Sequence, residues 1–211
     1  MNIYTAATPP FMKNGFVVSC EETREAVLID PGDDVEDLLA EVQRAQVKVL
    51  AVLLTHAHFD HITGVDRARD ALGVPVWLHH DDLFLYEAAD EQGALFGVDV
   101  ELQRPVDCLY AHDTRIVFGR YTVTPLHTPG HCPGGVCLAI GREGEPARDL
   151  FVGDTLFAGS IGRTDLPGAD HETLLRSIRD VLFQFSDDTV VHPGHGPDTT
   201  IGRERRTNPF L

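Results

Sequence analysis

Positive charge is what this sequence has least of. Lys and Arg number 17 against 33 Asp and Glu, a formal net charge of −16 over 211 residues. A surface of that sign repels phosphate backbones and anionic headgroups, so neither nucleic acid nor a membrane is an expected partner. Long apolar runs are missing as well: nothing approaches the ~18 residues of a membrane span. The segment Met1–Phe16 has one Lys and no apolar stretch of the kind a secretory leader carries. The four cysteines, Cys20, Cys108, Cys132 and Cys137, form no C-x-x-C pair, and a chain of this size needs no disulfide staples. A soluble, cytoplasmic protein is the expectation. No internal repeat and no low-complexity tract is found.

What is present suits a globular fold. Hydrophobic residues make up 43% and charged residues 24% of the chain, enough for a core, and one domain over residues 1–211 is expected. Short β-rich runs recur at Phe16–Cys20, Ala26–Asp30, Val49–Thr55, Val74–His80, Tyr121–Leu126, Val136–Ile140, Leu150–Gly153 and Thr189–His192. Helical periodicity appears at Val35, Leu38, Leu39 and Val42, and again from Leu174 through Ile178 and Leu182 to Phe185, with Asp170 as its N-cap. This order points to an α/β protein with two sheets and helices outside them.

Chemistry-bearing residues gather where apolar strands stop. Val49–His61 reads V-L-A-V-L-L-T-H-A-H-F-D-H, a strand running into H-x-H-x-D-H. Side chains alternate along extended backbone, so His56 and His58 point to one side, and Asp60 and His61 can face a second point. His131 follows another apolar strand in L-H-T-P-G-H, Asp154 follows a third in L-F-V-G-D, and His195 a fourth in V-V-H-P-G-H. Imidazole and carboxylate donors of this kind suit zinc, iron or manganese. Seven candidate metal ligands result: His56, His58, Asp60, His61, His131, Asp154 and His195. Two divalent ions would add about four positive charges to one cleft of an acidic protein.

L-I-D-P-G at 28–32, T-H-A-H-F-D-H at 55–61, T-P-G-H at 128–131, G-D-T-L-F at 153–157, G-R-T-D at 162–165, G-H-G at 194–196 and the terminal N-P-F-L span nearly the whole chain. In these motifs the sequence resembles hydrolases of the metallo-β-lactamase fold, most of all their short, glyoxalase II-like (hydroxyacylglutathione hydrolase-like) branch. The resemblance implies a four-layer αββα sandwich. It also implies one ion held by His56, His58 and His131, a second held by Asp60, His61 and His195, and Asp154 bridging both. Zinc, iron or manganese would serve. The reaction implied is cleavage of a small-molecule thioester of the S-acylglutathione type by a hydroxide shared between the ions, oriented by Asp60. Arg163 matches the basic residue that holds a glutathione carboxylate, with an ion pair to Asp165 as its other reading. A mono-iron persulfide dioxygenase using His56, His131 and Asp154, or a lactone hydrolase, is the alternative on the same fold. The longer relatives' C-terminal helical glutathione-binding extension has no counterpart here, and Gly134–Gly135 departs from the residues that usually follow T-P-G-H.

The remaining candidates carry less. Phe11 and Met12 lie in a Pro-rich turn between strands, where they would wall the site or stand as exposed loop hydrophobes, and Arg203, Arg205 and Arg206 belong to a terminal helix facing solvent. His127 and His192 precede ligand turns and are expected to support them by hydrogen bonds. His79, His80, His112 and His171 read as surface or capping residues, and Cys132 as a packed thiol beside His131.

Overall fold

A computed structural model describes all 211 residues, Met1–Leu211. They form two compact units, one of Met1–Ala111 with Val117–Arg120 and one of His112–Ile116 with Tyr121–Leu211.

The first unit opens with three strands, β1 (Asn2–Thr8), β2 (Lys13–Ser19) and β3 (Glu25–Ile29), each antiparallel to the next. Helix α1 (Val35–Ala45) then carries the chain to β4 (Lys48–Leu53), which pairs parallel with β3. A parallel pair requires such a crossover, because a tight turn cannot bring the chain back to the same end. Val35, Leu38 and Val42 are the buried face of α1, as their spacing predicts. The helix stops at Gln46, whose left-handed backbone returns its N–H to the carbonyls of Gln43 and Val42. After β4 come α2 (Phe59–Ile62), α3 (Val65–Leu72), β5 (Val76–Leu78), α4 (Leu83–Glu87), α5 (Ala89–Leu95) and β6 (Cys108–Leu109). The sheet order is β1-β2-β3-β4-β5-β6. The run expected to reach His80 is strand only over β5, since Pro75 lacks an N–H and His79 turns into a short 3-10 segment.

After β7 (Ile116–Phe118), of which Ile116 alone belongs to the second unit, β8 (Tyr121–His127), β9 (Val136–Arg142) and β10 (Asp149–Gly153) lead to a small hairpin, β11 (Leu156–Phe157) and β12 (Ser160–Ile161). Helix α6 (His171–Asp180) crosses to β13 (Val190–Pro193), parallel to β10, and β14 (Thr199–Thr200) and α7 (Ile201–Thr207) close the chain. The large sheet runs β14-β13-β10-β9-β8-β7. Its core joins Leu150, Val152 and Val191 on strands to Leu174, Ile178 and Leu182. The apolar pattern expected as one helix to Phe185 is broken at Val181, and Leu182–Gln184 is a 3-10 turn that still buries Leu182. No helix is long and apolar enough to cross a membrane.

Asp170 caps α6 through a 2.7 Å bond from the Thr173 N–H, and hydrogen bonding to the Thr173 side chain, with that N–H second, lowers its pKa below the ordinary carboxylate value of 3.8. A carboxylate so shifted stabilises the fold above its unfolded pKa, and the contribution is lost as pH falls through the lowered folded value. Asp170→Asn keeps a capping oxygen without the charge, so its stability deficit, read from urea midpoints, should shrink between pH 7 and pH 3. An unchanged deficit would show that the charge of Asp170 adds nothing to the cap. Leu174→Ala, at the centre of the core, should cost about 2–5 kcal/mol in the same measurement.

Candidate metal centre

In the first unit the apolar strand β4 delivers Thr55, His56 and His58 to the sheet's end, and the single turn of α2 presents Asp60 and His61. His56 and His58 lie with ring centroids 4.9 Å apart and planes perpendicular, His56 and His61 with centroids 4.0 Å apart. The side-chain oxygen of Asp60 is 3.9 Å from His61 Nε2. All four expected ligands of this unit therefore gather at one strand end.

The rings of His61 and, through Thr55, His56 are oriented by Asp30, a residue to which the sequence motifs assigned no role. His61 Nδ1 is 3.0 Å from Asp30 Oδ2, with both groups fully buried. The other oxygen accepts the Thr55 N–H at 2.7 Å, and the Thr55 hydroxyl donates to Oδ2. A hydroxyl has one proton, so with that proton on Asp30 its oxygen accepts from His56 Nδ1, 3.0 Å away. Both imidazoles are thereby assigned the tautomer with the proton on Nδ1 and the lone pair on Nε2, the form a metal takes. Asp30, His56 and His61 bring one donor atom each within 4.8 Å of one another.

The turn holding Asp30 is itself tightly specified. Asp30 adopts φ of 47°, a left-handed conformation that costs a β-carbon residue energy. The buried Lys13 ammonium donates to the Asp30 carbonyl and, at 2.8 Å, to Asp34 Oδ1, which also accepts the Gly32 N–H. At Gly32 a Cβ would lie 1.9 Å from the Asp60 carbonyl oxygen, so only glycine lets this turn pack on α2. Two further residues fix the backbone between the ligands. Asp82, buried, accepts the Ala57 N–H at 3.1 Å, and Gln92 donates to Ala57 O while accepting from the Phe59 N–H.

In the second unit His131 follows β8, Asp154 follows β10 and His195 follows β13. His131 Nδ1 donates to the Arg163 carbonyl at 2.9 Å, which again puts the lone pair on Nε2. Asp154 Oδ2 lies 3.7 Å from His131 Nε2 and 3.6 Å from His195 Nε2. These separations are too long for hydrogen bonds. They match two donors on one ion, since bonds of about 2.1 Å at a tetrahedral angle hold donor atoms about 3.4 Å apart. The donor set thus fits a divalent metal. Gly162 is necessary for it: a Cβ there would meet the Asp154 carbonyl oxygen at 1.9 Å and His131 Nδ1 at 3.2 Å.

Arg163 itself is exposed and pairs bidentately with Asp165, at 2.7 and 2.8 Å. That bonding lowers the Asp165 pKa to about 2. The supporting roles expected of two histidines have partners: His127 Nε2 is 2.8 Å from Pro133 O, and His192 sits between Asp149 and Asp198, stacked on Phe151. Cys132 is fully buried. Phe11 packs edge-on against Phe59, next to the ligands in sequence, while Met12 is half exposed. Arg205 and Arg206, exposed on α7, pair with Asp187.

Comparison with known proteins agrees with this geometry. A family model described as the metallo-beta-lactamase superfamily matches residues 8–195. Hydroxyacylglutathione hydrolase GloC of Haemophilus influenzae is 36% identical, over 100% of this chain and 98% of its own. Among solved structures, BLEG-1 B3 metallo-beta-lactamase superposes with a TM-score of 0.90 at 40% identity, covering 100% of this chain and 99% of the other. TTHA1623 in a di-iron-bound form has a TM-score of 0.85 at 44% identity, covering 99% and 100%. These neighbours carry the metallo-beta-lactamase fold, an α/β sandwich with two sheets.

Asp30→Asn replaces the acceptor on which His61, Thr55 and, through Thr55, His56 depend. It should weaken metal affinity about 10–100-fold, the usual effect of losing a partner behind a ligand. Chelator competition measures it, and an affinity within twofold of wild type would show that Asp30 does not orient the imidazoles.

Proposed function

The chain belongs to the metallo-beta-lactamase superfamily of metallo-hydrolases, and we propose that it hydrolyses a small-molecule thioester of the S-acylglutathione type at a dinuclear centre. In this reading His56, His58 and His131 would hold one ion, Asp60, His61 and His195 the other, and Asp154 would serve both. The observation that carries it is the Asp154 carboxylate at near-equal distance from His131 and His195, 3.7 and 3.6 Å. The substrate class draws its support from the Haemophilus influenzae relative named a hydroxyacylglutathione hydrolase, matched over the full chain. Zinc is the proposed occupant; the same N/O donors accept iron or manganese, and one similar protein has been solved in a di-iron-bound form.

Divalent ions bound there would supply Lewis acidity, polarising an acyl carbonyl and making water a nucleophile near neutral pH. The protein's part is positioning. Asp30, Thr55 and the Arg163 carbonyl keep the lone pairs of His61, His56 and His131 on Nε2, so no reorganisation is needed when a ligand is engaged. Asp60, mostly buried on α2, accepts a hydrogen bond from the attacking water and sets its direction toward the acyl carbon. Arg163 offers its guanidinium to a substrate carboxylate, whose binding displaces the exposed Asp165.

Metal analysis coupled to a substrate panel tests this reading. Protein produced with zinc, iron and manganese available should hold about two ions per chain and cleave S-lactoylglutathione. Fewer than one ion per chain would sink the dinuclear centre. Oxygen uptake with glutathione persulfide, or turnover of acyl-homoserine lactones without thioester cleavage, would replace the substrate assignment. Arg163→Ala should lower kcat/KM for a carboxylate-bearing thioester about tenfold or more, the loss of one charge-assisted bond. A loss under about threefold would leave Arg163 only its ion pair with Asp165.

A further inference from the structure

The terminal N-P-F-L and the helix before it are not used by the reaction just described, yet they hold the most deeply buried carboxylate of the second unit. Glu204, on α7, has no exposed surface. Its Oε2 accepts the Gly159 N–H at 2.8 Å and an Asn208 Nδ2 proton at 2.9 Å, and its Oε1 accepts the Thr199 hydroxyl. The exposed Arg203 guanidinium stands 3.9 Å from Oε1. Asn208 is equally committed: Nδ2 also donates to the Ser160 carbonyl at 3.0 Å, and Oδ1 accepts the Phe210 N–H at 3.1 Å.

The two residues they grip are Gly159, in the turn at the tip of the β11–β12 hairpin, and Ser160, the first residue of β12, where Phe157 pairs with Ser160 and Leu156 with Ile161. Beyond that pair the chain has one direction to take. Ile161 is buried in the core, and Gly162 lies against the Asp154 carbonyl with no room for a side chain. The next residue, Arg163, presents its carbonyl to His131 Nδ1 at 2.9 Å. The acceptor that orients a ligand histidine is thus a backbone group three residues past Ser160, and the hairpin tip is held from outside by a buried carboxylate and an amide. A short hairpin of two paired residues a side cannot hold a carbonyl in place unaided.

We propose that Glu204 and Asn208 are positioning residues for His131, fixing the Arg163 carbonyl through the β11–β12 hairpin so that the imidazole keeps its proton on Nδ1. The assignment rests on His131 being a metal ligand, as in the function proposed above. It identifies the terminal motif as part of the metal centre's support.

The test compares wild type, Glu204→Gln and Asn208→Ala by the Nδ1–H signals of 15N-labelled histidine, assigned with His131→Gln and His61→Gln. His61, whose Nδ1 bonds to Asp30 in the other unit, is the internal control. In both variants the His131 signal should shift and exchange at least tenfold faster while the His61 signal stays in place. In metal-loaded protein, chelator competition should show about tenfold weaker metal binding, and kcat should fall with KM unchanged. Asn208→Ala leaves the Glu204 bonds to Gly159 and Thr199 in place, so it keeps the test available if Glu204→Gln does not fold. A His131 signal unchanged in the folded variants would overturn the proposal, and so would equal loss of the His131 and His61 signals with a lower Tm, which marks general loosening. The signals are read without turnover, so a failed thioester assay with wild type would count against the substrate and not against this clamp.

Discussion

An imidazole ring can offer a metal only the nitrogen that carries no proton, and everything at the strand ends of this protein depends on which nitrogen that is. His61 gives its Nδ1 proton to Asp30, His56 to the Thr55 hydroxyl and His131 to the Arg163 carbonyl. Each acceptor differs in kind, a carboxylate, a hydroxyl and a peptide oxygen, but each leaves the lone pair on Nε2. The apolar strands fix where the rings start. The acceptors fix which way they act.

Those acceptors are expensive to hold, and the structure spends buried charge on them. Asp30 sits in a left-handed backbone conformation inside the protein, where Lys13 and Asp34 brace its turn. A buried ion pair of that sort is a poor source of stability, because desolvation offsets the attraction. Its value lies in geometry, since an ammonium with defined partners permits few alternative arrangements of the turn. Glu204 stands in the same relation to the second unit's hairpin, hydrogen-bonded by neutral donors with the Arg203 guanidinium farther off. In both units a strained or short segment beside the ligands is held by a charge that touches no ligand.

The strong net negative charge is consistent with such a centre. Asp30 and Asp60 in the first unit and Asp154 in the second bring carboxylates to strand ends, where a divalent cation would offset their charge. Arg163, the one guanidinium beside a ligand's partner, is exposed and shared with Asp165. That exposure lets a substrate anion compete for it.

Much of this could be read from the chain. H-x-H-x-D-H after an apolar run, and three later strand ends with His or Asp beside glycine, marked all seven ligand candidates, because a strand-end turn is local and its spacing is written in consecutive residues. Helices α1 and α6 showed their apolar faces for the same reason. Helix α3 did not, since only Val65 and Ala68 are buried among charged neighbours, and β5 is shorter than its apolar run because Pro75 lacks an N–H and His79 turns into a 3-10 segment. The acceptors were out of reach. Asp30 is 31 residues from His61, Arg163 is 32 from His131, Gln92 is 35 from Ala57, and Glu204 is 45 from Gly159. Sequence by itself determined which atoms could bind a metal within each turn. Tertiary structure decided their tautomer and direction, because a ring's proton goes to whichever acceptor folding brings against it.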